Sequence, residues 1–214
     1  DEITNAQLHS IYINKIVPEW LQPTFLIGFP RSGTTLIDTI LRSHSKINVI
    51  EEKPMITKVI DKIGTTNSLE NIEKINKTKA KEFSNIYFEE LNRHTSFLKQ
   101  ELVIDKLPLN ILQIPLINQI FPKSKFILAI RNPYDCILSC WMQNFQLNPA
   151  MGNMVDLDRL VNFYCNTMKF YNLCQKRYSI NSYTLRYEDL IDNFYFEVKK
   201  ILNFLNLQWE DSID

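Results

Sequence analysis

The chain has 214 residues, 45% hydrophobic and 22% charged, which suffices for one well-buried core. Its 24 lysines and arginines balance 24 aspartates and glutamates, so the net charge argues against a nucleic-acid-binding protein and any basic site must be local. No apolar run is long enough to cross a membrane and no leader peptide is recognisable, so we expect a single-domain, cytoplasmic protein.

The four cysteines predict neither a metal site nor a disulfide framework. Cys136 and Cys140 lie four residues apart in a predicted helix, and Cys165 and Cys174 lie in another, without C-x-x-C pairs or histidine partners. We predict buried free thiols, which is consistent with a reducing compartment.

Apolar periodicity predicts strands that alternate with helices. Strands are predicted over residues 24–29, 102–105, 125–130 and 182–187. Helices are predicted over residues 34–43, 71–99, 108–120, 133–144, 157–177 and 193–205. Helices of this length between strands imply parallel pairing. The predicted fold class is therefore α/β, with three layers: a central, mostly parallel sheet and helices on both faces.

The loop between the first strand and the first helix, FPRSGTT at residues 29–35, nearly fits the P-loop pattern G-x-x-x-x-G-K-[ST]. Gly28, Gly33 and Thr35 match, but Thr34 occupies the lysine position. The loop amides and the positive end of the following helix can still hold a phosphate. Without the lysine, hydrolysis of a nucleoside triphosphate is disfavoured, and a P-loop-type fold that binds a single 5′-phosphate-type group is expected.

The strand predicted over residues 125–130 leads directly into Arg131, and Ser139 lies two turns along the helix predicted after it. Arg131 at this strand end would face the crevice at the carboxyl ends of the strands, where the loop at residues 29–35 also lies. A guanidinium and a hydroxyl can bind a second phosphate there. Taken alone, Arg131 could equally pair with Asp135 or Glu188. Together with the first loop, the two sites fit adenosine 3′-phosphate 5′-phosphosulfate (PAPS).

Four segments resemble the PAPS-dependent sulfotransferase family, in particular the bacterial members associated with tetratricopeptide repeats and the tyrosylprotein sulfotransferases. The segments are FPRSGTTL at 29–36, IRNPYD at 130–135 with Ser139, RYEDL at 186–190 and NFLNLQW at 203–209. Their order and spacing agree over residues 24–210. The resemblance implies one sulfotransferase domain over residues 1–214, truncated at one or both ends, because the family's later nucleotide-binding segment is not visible before Asp214.

The resemblance also implies a nucleotide site without a metal. Its predicted PAPS-binding residues are Arg31, Ser32, Gly33, Thr34, Thr35, Arg131, Ser139 and Tyr187.

The catalytic residues are likewise implied by position in the family. Many members use a histidine after a strand that here ends in DKLP at residues 105–108, without a histidine. Members that lack it use a glutamate after the first helix, and Glu52 fits that position better than Glu51. Lys106 and Arg31 would stabilise the sulfuryl group in transit. The alternatives are a solvated Glu51–Glu52 turn and a surface pair of Asp105 with Lys106.

The predicted reaction transfers a sulfuryl group from PAPS to a hydroxyl or amine of a carbohydrate, a peptide tyrosine or a small molecule; the sequence does not indicate which. Two alternatives belong to other classes. A P-loop nucleotide kinase or phosphotransferase would need the missing lysine and usually a magnesium-binding aspartate. A non-catalytic nucleotide-binding module would need neither Glu52 nor Lys106.

Overall fold

A computed structural model describes residues 22–64, 69–95, 102–143, 151–154 and 156–213. The five strands of the described residues are β1 (Thr24–Gly28), β2 (Ile47–Glu51), β3 (Leu102–Lys106), β4 (Lys125–Ile130) and β5 (Asn181–Arg186). The α-helices are α1 (Thr34–Arg42), α2 (Met55–Ile63), α3 (Leu69–Glu73), α4 (Lys77–His94), α5 (Ile114–Ile120), α6 (Pro133–Trp141), α7 (Leu157–Tyr178), α8 (Tyr187–Asp192) and α9 (Phe194–Leu205). Short 3₁₀ helices cover Pro108–Gln113, Met151–Met154 and Asp211–Ile213.

The strands form one sheet in the order β2-β3-β1-β4-β5, and all four pairings are parallel. From β1 the chain crosses to the edge strand β2 and returns to β3, which lies between β2 and β1. It then crosses to β4 and β5 on the other side of β1. The connections after β1 and β4 run in opposite directions, so the carboxyl ends of these adjacent strands form a topological switch point, where open α/β sheets bind their ligands. Strand β3 ends on the other side of β1. The predicted α/β class and parallel sheet are confirmed, whereas the edge strand β2 was not predicted.

Alternating side chains of the central strands supply a core on each face of the sheet. Phe25 and Ile27 of β1 belong to one core, packed with α2, α3, α4, α5 and α7. Leu26 belongs to the other, packed with α1, α8 and α9. These two cores confirm the predicted three layers. No helix of the described residues is both long enough and apolar enough to span a membrane.

Two predicted helices have different internal structure, and a further helix, α8, was not predicted. The helix predicted over 71–99 divides into α3 and α4, because Asn76 caps a new helix by accepting a hydrogen bond from the Lys79 N–H at 3.0 Å. The helix predicted over 108–120 begins as a 3₁₀ helix and becomes α-helical near Pro115. Helix α8 begins at Tyr187 of the RYEDL segment, directly after Arg186 ends β5, and lies ahead of α9. Residues 96–99 and 144 of the predicted helices lie outside the described residues.

Candidate active site

Two glycines shape the loop that joins β1 to α1. A Cβ atom on Gly28 would lie 2.6 Å from Ser32 Oγ and 2.7 Å from the Ala129 carbonyl oxygen, so no larger residue fits. Gly33 has a φ of 95°, and a Cβ atom there would lie 2.5 Å from the Tyr187 ring. Arg31 also has a positive φ, of 69°, which is uncommon outside glycine and concentrates at ligand sites. The loop thus has the tight, strained geometry expected of a phosphate-binding turn.

The loop ends at the uncapped amino terminus of α1. Gly33 occupies the N-cap position and provides no side-chain cap, so the amides of the first helical turn keep their capacity to bind an anion. Ser32 Oγ is buried and has no hydrogen-bond partner among the described residues. A buried polar atom without a partner is rare in native proteins and is expected where a ligand completes the site.

Arg31 connects this loop to α6. Its Nε donates a hydrogen bond to Ser139 Oγ at 3.0 Å, although the two residues are 108 positions apart in sequence. The buried thiols of Cys136 and Cys140 face the same loop, and their Sγ atoms lie 3.6 Å from the Arg31 carbonyl oxygen and 3.3 Å from the Pro30 carbonyl oxygen. The segments predicted to hold two different phosphates are therefore in direct contact.

Burial raises the pKa of these two thiols, to about 11 for Cys136 and about 12 for Cys140. Both are protonated near neutral pH, so they act as weak hydrogen-bond donors and not as nucleophiles. The predicted buried free thiols are confirmed for these two residues and for Cys174, whereas Cys165 is exposed.

Arg131 follows β4 and lies beside Tyr187. Its guanidinium carbon is 4.7 Å from the centre of the Tyr187 ring, and Nη2 is 3.5 Å from Asp135 Oδ2. Its Nε is buried and has no partner among the described residues. The ion pair with Asp135 weighed in the sequence analysis is thus present, but it leaves a buried donor of Arg131 unused. Ser139 bonds Arg31 and not Arg131, a pairing that the sequence did not predict.

Lys106 ends β3 and contacts both candidate bases. Its Nζ donates hydrogen bonds to Glu51 Oε1 and to Glu52 Oε1, each at 2.9 Å. The Lys106 side chain is 1% exposed, whereas the glutamate side chains are 48% and 57% exposed. Glu52 has a φ of 51°, and its N–H bonds the Lys106 carbonyl oxygen at 2.8 Å. Backbone and side chain of Lys106 therefore both fix the position of Glu52.

The two glutamates differ in their surroundings. The hydrogen bond from Lys106, followed by its charge, lowers the pKa of Glu51. Arg42 adds to this effect, since its Nη2 lies 4.0 Å from Glu51 Oε2. Burial alone would lower the pKa of Lys106, but the hydrogen bonds and charges of Glu52 and Glu51 outweigh burial and raise it. A carboxyl group with a lowered pKa binds a proton more weakly, so the surroundings of Glu51 favour its charged form.

The alternative of a surface pair between Asp105 and Lys106 does not hold, because both side chains are buried. As neighbours on a strand they point to opposite faces of the sheet. Asp105 accepts hydrogen bonds from the Tyr87 hydroxyl at 3.0 Å and from Asn110 Nδ2 at 3.3 Å. Burial raises the pKa of Asp105 to about 7, although the Tyr87 hydrogen bond lowers it.

We predict that Asp105→Asn flattens the dependence of stability on pH. The folded chain holds the Asp105 proton up to about pH 7, whereas the unfolded chain releases it near pH 4. The stabilisation from this group is therefore complete below pH 4 and lost as pH rises to 7. Urea unfolding at pH 5 and pH 8 should show that the wild type loses more stability than the variant, by on the order of 1–4 kcal/mol. Equal losses in both proteins would contradict the assignment.

Two cavities differ in their relation to these residues. One of about 230 Å³ is lined by Ile130, Arg131, Asn132, Pro133, Tyr164, Met168 and Arg186, at the carboxyl ends of β4 and β5. A larger one, of about 620 Å³, lies between α2 and α4, is lined mostly by charged side chains and contains none of the predicted site residues. The smaller cavity is favoured by its position at the carboxyl ends of parallel strands and its contact with Arg131, and not by its volume. Within the described residues, no group of three or more His, Cys, Asp or Glu side chains could hold a metal ion.

The sequence matches the sulfotransferase family over residues 23–211, so the chain belongs to this family and the resemblance is confirmed. An uncharacterized protein of Aquifex aeolicus is 28% identical over 90% of the chain and 26% of its own length. A putative protein-tyrosine sulfotransferase of Caenorhabditis briggsae is 26% identical over 90% of the chain and 68% of its own length. The chain thus spans about a quarter of the first relative and about two thirds of the second.

Solved structures show the same fold. The sulfotransferase domain from the curacin biosynthetic pathway has a TM-score of 0.60 at 18% identity, over 89% of this chain and 76% of that domain. A mouse sulfotransferase complexed with PAP has a TM-score of 0.51 at 18% identity, over 98% of this chain and 67% of that one.

Proposed function

We propose that the chain is a PAPS-dependent sulfotransferase that acts on a hydroxyl or an amine. The observation that carries this proposal is the buried Lys106 ammonium bonded to Glu51 and Glu52. It lies at the carboxyl ends of the strands, where the loop between β1 and α1 has the geometry of a phosphate-binding loop. A sulfuryl transferase needs a cation for the group in transit and a general base for the departing proton, and this site offers an ammonium and two carboxylates for these roles. The mouse relative complexed with PAP supports adenosine 3′,5′-bisphosphate as the product nucleotide.

In the proposed reaction the acceptor oxygen or nitrogen attacks the sulfur of PAPS while the bond from sulfur to the 5′-phosphate oxygen breaks. Glu52 takes the acceptor proton. Lys106 and Arg31 offset the negative charge on the sulfuryl group and on the leaving oxygen. The amides of residues 32–35 hold the 5′-phosphate through backbone N–H groups and the helix terminus. The products are the sulfated acceptor and adenosine 3′,5′-bisphosphate.

The pairing of Lys106 with two carboxylates implies that the donor binds before Glu52 accepts the proton. The ammonium is bonded to both glutamates in the structure. A sulfonate that takes over one of these bonds would free Glu52 to receive a proton, while Glu51 continues to neutralise the lysine. The threonine at position 34 argues against the kinase alternative, because no lysine in the loop would reach a γ-phosphate.

The acceptor and the cellular location belong to the same proposal. We expect an acceptor with a hydroxyl or amine, such as a carbohydrate, a peptide tyrosine or a small molecule. The free thiols Cys136, Cys140 and Cys174 are buried, which supports a reducing compartment such as the cytoplasm.

Calorimetry with nucleotides tests the donor. Adenosine 3′,5′-bisphosphate should bind far more tightly than AMP or ATP with magnesium. Arg131→Ala should weaken bisphosphate binding by about 1.5–3 kcal/mol and leave AMP nearly unaffected, because a charge-assisted contact to the second phosphate is lost. Arg177→Ala is the matched control, since Arg177 is exposed and pairs with Glu73 outside the site. ATP binding as tight as bisphosphate binding would overturn the proposal.

A further inference from the structure

Arg186 lies beside Arg131 at the edge of the sheet. In the parallel pairing of β4 with β5, Ile130 is the register partner of Arg186, and Arg131 is the next residue after Ile130. The two arginines thus occupy adjacent positions on neighbouring strand ends. Each is paired with one carboxylate, Arg131 with Asp135 at 3.5 Å and Arg186 with Glu188 at 3.1 Å, and each pairing engages a single nitrogen of the guanidinium.

Both arginines line the cavity of about 230 Å³. Its other lining residues are apolar or neutral, namely Ile130, Asn132, Pro133, Tyr164 and Met168, and none is a carboxylate. The volume lies below the roughly 300–1,000 Å³ of pockets that enclose a whole ligand. The cavity is therefore sized for an anionic substituent of a larger molecule.

Glu188 links Arg186 to the backbone of Asn132, the residue after Arg131. Its Oε2 accepts from Arg186 Nε at 3.1 Å, and its Oε1 accepts from the Asn132 N–H at 2.7 Å. One carboxylate therefore ties Arg186 to the backbone next to Arg131. The Tyr187 ring packs against the Arg131 guanidinium, with 4.7 Å between the guanidinium carbon and the centre of the ring. Both cations are preorganised by neighbours that leave donors available.

The unused donors point to a ligand. Arg131 Nε is buried without a partner among the described residues. For Arg186, the only hydrogen bond within the described part of the chain comes from Nε, so its two Nη groups remain free to donate. Two guanidinium groups match the charge and the geometry of a phosphate dianion.

We propose that Arg186 is a second arginine for the 3′-phosphate of the donor and thus determines selectivity for 3′-phosphorylated nucleotides. This inference rests on the proposed function. Arg131 and Arg186 bind the 3′-phosphate together, while the loop before α1 holds the 5′ side. Glu188 acts as a positioning residue that links Arg186 to the backbone next to Arg131.

The test measures the affinities of adenosine 3′,5′-bisphosphate and of adenosine 5′-phosphosulfate, which lacks the 3′-phosphate. Arg186→Gln should weaken the bisphosphate on the order of tenfold or more, the usual effect of losing a charge-assisted contact. The phosphosulfate should change less than threefold. Arg186→Lys keeps the positive charge but lacks the planar guanidinium with its paired N–H donors. Its affinity for the bisphosphate should lie between those of wild type and Arg186→Gln.

Arg177→Gln is the matched control, because it also removes an exposed arginine that pairs with a glutamate, and it should leave both affinities unchanged. Unchanged bisphosphate affinity in Arg186→Gln would overturn the inference, as would equal losses for both nucleotides, which indicate a merely structural role. A wild-type protein that binds both nucleotides equally would overturn the proposed function itself, a result distinct from either of these.

Discussion

Glu52→Gln should abolish most sulfuryl transfer and spare nucleotide binding. Glutamine keeps the shape of the side chain and can still accept a hydrogen bond from Lys106, but it cannot take a proton. We expect kcat to fall on the order of 10²–10⁴-fold, the usual contribution of a general base. Turnover would be measured with labelled PAPS over a panel of carbohydrate, phenolic and peptide acceptors, and affinity by calorimetry with adenosine 3′,5′-bisphosphate.

Glu51→Gln is the matched control for this experiment. Glu51 also bonds Lys106 at 2.9 Å, so its replacement removes the same charge from the same ammonium. The pKa of Glu51 is lowered by Lys106 and the family resemblance places the base at Glu52, so we expect a smaller loss of kcat than for Glu52→Gln. A larger loss of kcat in Glu51→Gln than in Glu52→Gln would identify Glu51 as the general base. A joint loss of melting temperature and affinity in Glu52→Gln would make Glu52 structural.

The sequence predicted the core of this site because its strongest signals are local. β4 was predicted with its observed bounds, and β1 differs by one residue, because both strands are apolar runs bounded by polar or loop-forming residues. Gly28 and Gly33 indicated a phosphate loop because glycine spacing reflects steric requirements of the backbone. The close approach of Tyr187 to Gly33 shows that the RYEDL segment also lies at this loop.

What the sequence could not show depends on contacts between distant segments. β2 was missed because Ile47–Glu51 is short, is interrupted by Asn48 and lies at the edge of the sheet, where its signal is weak. The burial of Lys106 was missed because its carboxylate partners are 54 and 55 residues away, whereas Asp105 next to it suggested a surface pair. The bond of Arg31 to Ser139 likewise requires the folded sheet to bring β1 next to β4.

The burial of Lys106 changes what its mutation tests. A surface lysine contributes little to stability, but Lys106 is 1% exposed, so Lys106→Ala would remove a buried stem and leave a cavity. Lys106→Met is the sharper variant, because methionine keeps most of the volume without the charge. Its partners Glu51 and Glu52 are about half exposed and can be hydrated once the ammonium is gone.

Lys106→Met should therefore separate stability from catalysis. Removing one partner of a fully buried ion pair costs about 3–5 kcal/mol, but the two carboxylates that remain here are about half exposed and can be hydrated, so the free energy of unfolding should fall by no more than about 1 kcal/mol. Transfer should fall on the order of 10²–10³-fold, because the cation that stabilises the sulfuryl group is lost. Lys106→Arg should restore only part of the rate, since a planar fork does not place its charge where a compact ammonium does.

The measurements are urea unfolding and transfer of label from PAPS, with Lys125→Met as control. Lys125 also has a partly buried ammonium, bonded to the Phe204 carbonyl oxygen at 2.6 Å, but it lies at the opposite, amino-terminal end of its strand. Its replacement should leave the rate of transfer nearly unchanged. A Lys106→Met protein that transfers sulfate at the wild-type rate would refute the catalytic role. One that loses stability and rate together, while Lys106→Arg recovers both, would show that the ion pairs with Glu51 and Glu52 act mainly in folding.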